Sequence, residues 1–186
     1  MKLLTLKRQI FRSALSVLFV IPCICGAGQD ECIRGIPTPV FAKNHADIRS
    51  RNFTLTSSTE AKEQVQLKSG ELIRISHGGC EYYTITFRFE SNEILRSDTS
   101  TNRVYKEAAD LLQKLTTLKV DSAFDLGLAA ATLETALMKQ PRTELHDTLA
   151  VVGDGEEFLQ TQIRIDAAGR KRKIGFIEIS LFKGPL

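Results

Sequence analysis

Residues 71–90, ELIRISHGGCEYYTITFRFE, decide the fold. From Tyr83 onward, apolar and polar residues alternate, which is the period-two pattern of a strand that buries one face. Ile75 precedes the glycine turn Gly78-Gly79-Cys80 and matches this apolar face. A three-residue loop at that turn would place Ile75 opposite Tyr83, so we predict a β-hairpin with all its apolar side chains on one side.

More strand signals precede this hairpin. They begin at Asn52, break at residues 57–59 and resume before Leu67. A turn follows at Ser69-Gly70. A loop longer than two residues there would pair Leu67 with Ile73 and keep the apolar residues on one face. The sequence therefore predicts an antiparallel meander of three or four strands.

Two amphipathic helices are predicted after the meander. Residues 97–102, SDTSTN, are rich in N-capping side chains, and apolar residues follow them at spacings of three and four. A second helix is predicted to start after Ser122, with Asp125 completing a capping box and Pro141 ending the helix. Its predicted buried positions are Leu126, Ala129, Ala130, Leu133, Ala136 and Leu137.

After the second helix, apolar and polar residues alternate again, as in strands. Residues 149–152 form a short predicted strand, and residues 159–165 alternate in a longer one. Residues 167–169, AAG, are predicted to turn, and the last strand runs from about residue 171 to 182, with apolar residues on both faces as in a central strand. The prediction is a single-domain α+β fold: a meander of three or four strands, two helices, then about three strands, in an antiparallel sheet with the helices packed on one face.

The amino-terminal segment has the composition of a secretory signal peptide. Basic residues precede an apolar run of about 11 residues, too short to span a membrane as a helix, and small residues follow at 26–28. We predict a cleaved signal peptide at residues 1–28, an irregular tethered arm at 29–51 and the α+β domain at 52–186. The mature protein is expected to be periplasmic or secreted, in a bacterium, with no membrane span. A retained anchor is the alternative.

Removing the signal peptide removes the basic excess of the chain. Residues 1–28 hold four of the 25 Lys and Arg and none of the 22 Asp and Glu, which leaves 21 basic residues against 22 acidic ones. Binding to nucleic acid requires a basic surface, so no nucleic-acid partner is expected. The cluster GRKRK at residues 169–173 is predicted to be a solvated strand edge, and contact with an acidic partner or anionic lipid is the alternative.

Two cysteines remain in the mature chain, Cys32 and Cys80. In an exported protein they are expected to form one disulfide, which closes a loop of about 48 residues. The alternative makes Cys80 a nucleophile beside His77, but the spacing supplies no third group to orient such a pair.

Motifs for cofactors and metals are missing from the sequence. It has no phosphate-binding glycine loop, and the acidic loop at residues 153–157 lacks a series of calcium ligands. His45 and Asp47 lack a third metal ligand at a recognisable spacing. We therefore expect no cofactor, no metal and no catalytic residues.

These features favour a non-enzymatic binding protein, in the manner of an inhibitor or immunity-type factor that acts through contact with a protein partner. The predicted contacts lie in the glycine hairpin and the basic turn: His77, Glu81, Tyr82, Arg170, Lys171 and Arg172. One alternative is a small hydrolase that uses His146 or His77 with nearby carboxylates. Another is a carrier of a small apolar ligand between the sheet and the helices.

Overall fold

The computed structural model describes residues 35–97, 99–138, 144–151 and 161–184, all within one compact unit that spans residues 31–186. Its elements, in chain order, are β1 (Ile48–Leu55), β2 (Ala61–Leu67), β3 (Leu72–Gly78), β4 (Tyr83–Ser91), α1 (Thr101–Thr117), α2 (Leu126–Leu137), β5 (Leu149–Val151), β6 (Thr161–Lys171) and β7 (Ile174–Lys183). The strands form one antiparallel sheet in the order β1-β2-β3-β4-β7-β6-β5. The predicted α+β fold is confirmed.

β7 joins the two halves of the chain into one sheet. It pairs with β4 from Tyr83↔Lys183 to Ser91↔Gly175, and its other edge pairs with β6. The predicted central position of the last strand is therefore confirmed. A strand with neighbours on both edges has its backbone groups satisfied, which explains why this apolar segment lies in the middle of the sheet.

One apolar cluster forms the core. Alternate residues of the strands are buried in it, and Val65, Phe87 and Ile179 are all 0% exposed. The buried residues of α1 and α2 belong to the same cluster. The predicted buried face of α2 is confirmed except at Leu137, which is partly exposed. The packing of both helices on one face of the sheet stays a prediction.

α2 begins at Leu126, three residues later than the predicted start after Ser122. Asp125 is the N-cap, and its carboxylate accepts a hydrogen bond from the Leu128 N–H at 2.9 Å. Ser122 instead accepts one from the Phe124 N–H, at 3.2 Å. The Phe124 side chain is buried, so the chain turns inward before the helix starts. Pro141 lies outside the described residues.

The glycine hairpin between β3 and β4 has a longer loop than predicted. Ile75 pairs with Phe87 rather than with Tyr83. The turn is made by residues 79–82. Gly79 has a φ of +87°, and a Cβ added to it would overlap the carbonyl oxygen of Tyr82. The register differs from the prediction by four residues. Because four is an even number, the same side chains still face the core.

The β2–β3 turn confirms a loop of more than two residues but not the predicted pairing. Ile73 pairs with Val65 instead of Leu67. The Leu67 N–H donates to the carbonyl oxygen of Glu71 at 2.9 Å, which leaves three loop residues, the last being Gly70 with a φ of +96°. A glycine accepts that backbone conformation without a steric penalty.

The predicted turn at residues 167–169 is wrong. β6 continues to Lys171, with a bulge between Ile165 and Ala167, and the chain turns at residues 172–173. Ala167, Ala168 and Gly169 pair with Glu178, Ile177 and Phe176 of β7. This segment therefore stays extended instead of forming a turn.

The predicted arm takes part in the fold. β1 begins at Ile48, four residues before the predicted start at Asn52, and Val40 and Phe41 are buried in the core. The predicted signal peptide lies outside the described residues. Among the residues that are described, no helix is long and apolar enough to cross a membrane.

Candidate binding surface

The two segments predicted as partner contacts lie at opposite ends of the paired strands β4 and β7. The glycine hairpin adjoins the pair Tyr83↔Lys183, whereas the basic turn adjoins the pair Ser91↔Gly175. These pairs are separated by eight residues along β4, or about 26 Å at the rise of a strand. The hairpin and the basic turn therefore do not form one continuous patch.

His77 is buried, so its predicted role as a surface contact is wrong. Only 4% of the residue is exposed. β3 continues past Ile75, and because side chains alternate between the two faces of a strand, His77 lies on the same core face as Ile75. Its Nδ1 lies 3.4 Å from the Tyr83 hydroxyl, and its ring meets the Phe53 ring edge-on at 6.2 Å. Burial also removes His77 from contact with a dissolved substrate.

The rest of the hairpin is accessible. Glu81 is exposed, and Tyr82 is 57% exposed. Cys80 is disulfide-bonded. Cys32 lies outside the described residues, so the pairing of these two cysteines stays a prediction.

In the basic turn, Arg170 has a structural role. Its guanidinium donates to the carbonyl oxygens of Ile94 at 2.6 Å and Asn92 at 3.3 Å, which fastens the loop after β4 to the end of β6. These bonds occupy the side chain that was predicted to contact a partner. Lys171 and Arg172 are exposed and remain accessible.

His146 lies in an exposed turn at residues 144–147. The polar contacts of this turn serve its own structure: the Glu144 N–H donates to the Asp147 carboxylate at 2.8 Å, and the Tyr105 hydroxyl donates to the Glu144 carbonyl at 2.8 Å. Burial, with a smaller effect from Asp147, raises the pKa of Tyr105 to about 12, so its hydroxyl stays a donor. No described contact orients the His146 ring as a general base would require. Within the described ranges, no three potential metal ligands cluster together.

The sheet face opposite the core is polar and partly exposed, and we call it the open face. It carries a depression of about 490 Å³. The side chains that line it come from β1, β2, β3, β4 and β7: Asn52, Thr54, Lys62, Gln64, Arg74, Ser76, Thr86, Arg88 and Glu178. They alternate with buried or half-buried residues of the same strands, so the two-residue alternation of a strand places them on one face of the sheet.

Strand register aligns four of these residues across the sheet. Thr54 pairs with Lys62, Lys62 with Ser76, and Ser76 with Thr86. We call these four residues the polar row. Directly paired side chains lie about 5 Å apart, so the row presents three hydroxyls and one ammonium group along a line.

An ionic network borders the polar row. Arg74 donates to Glu90 at 2.6 Å, and Arg88 donates to Glu90 at 2.7 Å and to Glu178 at 2.9 Å. Arg88 also lies over the Phe176 ring, 4.3 Å from its centre. The hydrogen bond that Arg88 donates to Glu90 is the largest cause of the raised pKa of Arg88, ahead of the opposing effect of burial. Two arginines and two glutamates balance in charge and fix one another's positions.

A second network extends across β6. The Ser180 hydroxyl lies 2.7 Å from that of Thr86 and donates to Asp166, which also pairs with Arg164. The Arg164 guanidinium lies 5.0 Å from the centre of the Phe182 ring. These contacts hold the side chains next to the polar row in place.

Five side chains of the depression lack an internal partner. Within the described part of the chain, no hydrogen bond or ion pair involves the side chains of Asn52, Thr54, Lys62, Gln64 and Ser76. Their polar groups are thus available to solvent or to a ligand. The arrangement supplies hydrogen-bond donors and acceptors and one unbalanced positive charge, which suits noncovalent recognition.

Sequence reasoning missed the open face. The sequence does contain polar residues that indicate this face. Between the apolar positions of β2 and β3 lie Lys62, Gln64, Arg74 and Ser76. Such residues are usual on any solvated strand face. Only the register shows which of them lie side by side.

Comparisons of this chain with protein-family models, with curated proteins and with solved structures gave no match. Function is therefore inferred from the geometry.

Proposed function

We propose that this protein is an exported, non-enzymatic bacterial binding protein, periplasmic or secreted, that acts through contact with another protein. An inhibitor or immunity-type factor is the role we favour. The observation that carries the proposal is the polar row on an open sheet face, beside side chains that have no internal partner in the described part of the chain.

The shape of the open face favours a macromolecular partner. From β1 to β4 the polar row crosses three inter-strand steps, or about 14 Å. The depression lies on the surface of a sheet, whereas small-molecule sites are usually enclosed and mostly apolar. A broad polar surface with fixed charged groups resembles the polar part of a protein interface.

The glycine hairpin extends this surface. Ser76 is two residues from the end of β3, so the hairpin begins about 7 Å from the polar row. Tyr82 is 57% exposed there. Tyrosine contributes strongly to many protein interfaces because it combines apolar area with a polar end. We therefore include Glu81 and Tyr82 in the proposed contact surface.

Preorganisation supports the inhibitor or immunity-type role. The ionic network holds Arg74 and Arg88 in position before any partner arrives, and the disulfide at Cys80 restrains the hairpin. A surface that is already ordered loses less conformational entropy on binding, which favours tight association.

The two alternatives have weaker support. For a hydrolase, His77 is buried and His146 lacks a described contact that would orient it. For an apolar carrier, the interior is occupied by packed side chains such as Phe87, Leu112 and Leu115, each 0% exposed. Neither alternative makes use of the polar row.

Site-specific photo-cross-linking in the source cells tests the proposal. A photoreactive amino acid placed at Ser76 or at Tyr82 should capture the same partner protein. The matched control places it at Lys106, an exposed position of α1. Capture at Lys106 as strong as at Ser76, or no capture at either of the first two positions, would contradict the proposed surface.

A further inference from the structure

We propose that the open face binds carboxylate side chains on an extended acidic segment of the partner protein. This inference rests on the proposed function and adds the chemistry of the partner. Three observations carry it: an unbalanced positive charge, a set of unpartnered polar groups and the length of the polar row.

The charge excess comes from Lys62. Arg74 and Arg88 are balanced by Glu90 and Glu178, and Arg164 is balanced by Asp166. Lys62 is exposed, lines the depression, and forms no ion pair with any described residue. An interface is most favourable where the potentials of the two partners are complementary, so the group that meets Lys62 should be negative.

The groups around Lys62 suit an oxygen acceptor. Thr54 and Ser76 flank it in the polar row, and Gln64 lies two residues along the same strand. Hydroxyl, amide and ammonium groups all donate hydrogen bonds, whereas an ionised carboxylate only accepts them. An apolar segment laid on this face would leave those donors unpaired and would therefore bind weakly.

The length of the row favours a segment over a single ion. Its span of about 14 Å equals about four residues of extended chain. Arg74, whose side chain is 47% exposed, provides further hydrogen-bond donors in the neighbouring row. Its Nη1 donates to Glu90, and the other donors of its guanidinium remain for a ligand. Two carboxylates two residues apart in an extended segment would point to the same side and reach Lys62 and Arg74 together.

Titration with a hexaglutamate peptide, followed by the amide NMR spectrum of the purified protein, tests the inference. We expect the largest shifts in β2 and β3, and weaker binding at high salt. Lys62→Gln and Arg74→Gln should each weaken binding by about fivefold or more. Lys68→Gln changes an exposed lysine in the β2–β3 turn, outside the depression, and should change affinity by less than about twofold.

Three results would overturn the inference: equal affinity in Lys62→Gln and Lys68→Gln, shifts centred on Lys171 and Arg172, or equal binding of a hexaglutamine peptide. Inorganic phosphate that binds at Lys62 more tightly than hexaglutamate would also overturn it, because the site would then be one for a small anion. The amide spectra of the variants report whether each still folds. If hexaglutamate fails while cross-linking at Ser76 still captures a partner, the acidic chemistry is wrong and the proposed function stands.

Discussion

The side chain of Glu63 accepts a hydrogen bond from the backbone N–H of Val40 at 2.9 Å, across 23 residues of sequence. The Phe41 N–H lies 3.4 Å from the same carboxylate, and Arg51 lies 3.8 Å from it. Glu63 is only 2% exposed. This buried carboxylate fastens the segment before β1 to the core side of β2.

The environment of Glu63 predicts that the stability of the fold depends on pH. Burial is the main cause of its raised pKa, opposed by the N–H groups of Val40 and Phe41 and by Arg51. The folded protein therefore binds the proton more tightly than the unfolded chain does. The stability that this proton contributes is present below the unfolded pKa and is lost as pH rises through the folded pKa.

Glu63→Gln should remove this dependence. As pH rises from about 4 to 8, the unfolding free energy of the native protein should fall relative to that of the variant. Urea titrations across this range measure the difference. Glu60→Gln, at an exposed position beside β2, is the control for replacing a carboxylate by an amide. A difference for Glu63→Gln that does not vary with pH would show that burial does not raise this pKa.

Phe87 lies at the centre of the core, where it is 0% exposed and its ring stacks on that of Phe89 at 6.2 Å. Phe87→Ala should lower the unfolding free energy by about 3–5 kcal/mol, because it leaves a cavity in a packed interior. Leu55→Ala, at a 46% exposed position of β1, should cost less than about 1 kcal/mol. Denaturant titration measures both, and equal losses would mean that the buried face is assigned wrongly.

Arg172 adopts a left-handed backbone conformation, with a φ of +59°. Such a conformation is unfavourable for an L-residue with a Cβ, so Arg172→Gly should raise the unfolding free energy by about 0.5–1 kcal/mol. Lys171→Gly, in the adjoining strand, should lower it by a similar amount, about 0.5–1 kcal/mol. Thermal unfolding of the two variants should thus show opposite shifts. A lower melting temperature for Arg172→Gly would contradict the role of backbone strain.

Cys80 is disulfide-bonded, and Cys32 is its predicted partner. The mature protein, unfolded without reductant, should show no free thiol. Cys32→Ser should expose one thiol and lower the unfolding free energy by about 4 kcal/mol, the entropy estimate for a loop of this length. Thiol titration and denaturant unfolding test this. A full thiol equivalent in the unaltered mature protein would refute the pairing.

Export is tested by the amino terminus of the native protein. If residues 1–28 are a cleaved signal peptide, amino-terminal sequencing should begin near Gln29 and the protein should be found outside the cytoplasm. A sequence that begins at Met1 would contradict cleavage.

Local patterns predicted the elements because their causes are local. The alternation from Tyr83 to Phe89 and the spacing of apolar residues in α1 follow from the geometry of a strand and of a helix. The turn at residues 167–169 was predicted wrongly because Ala-Ala-Gly has no local requirement to turn. It is kept extended by pairing with a strand that comes later in the chain.

The candidate site was less predictable than the fold. The glycine hairpin was identified as a surface element from its sequence, and Glu81 and Tyr82 are exposed there. His77 was misplaced because its burial depends on how far β3 extends before turning. The structural role of Arg170 was not predicted, because a carbonyl group that it contacts belongs to a loop 76 residues earlier in the chain.

By itself, the sequence determined the fold class, the two helices and their place between two groups of strands, and which apolar strand residues face the core. Periodicity alone settles these features, and a register shift of an even number of residues does not change them. Only the tertiary structure decided that β7 lies between β4 and β6, that Glu63 and His77 are buried, and that Thr54, Lys62, Ser76 and Thr86 lie in one row. The physical reason is that strand pairing brings together residues far apart in the chain, and its register depends on loop lengths and on packing across the whole sheet.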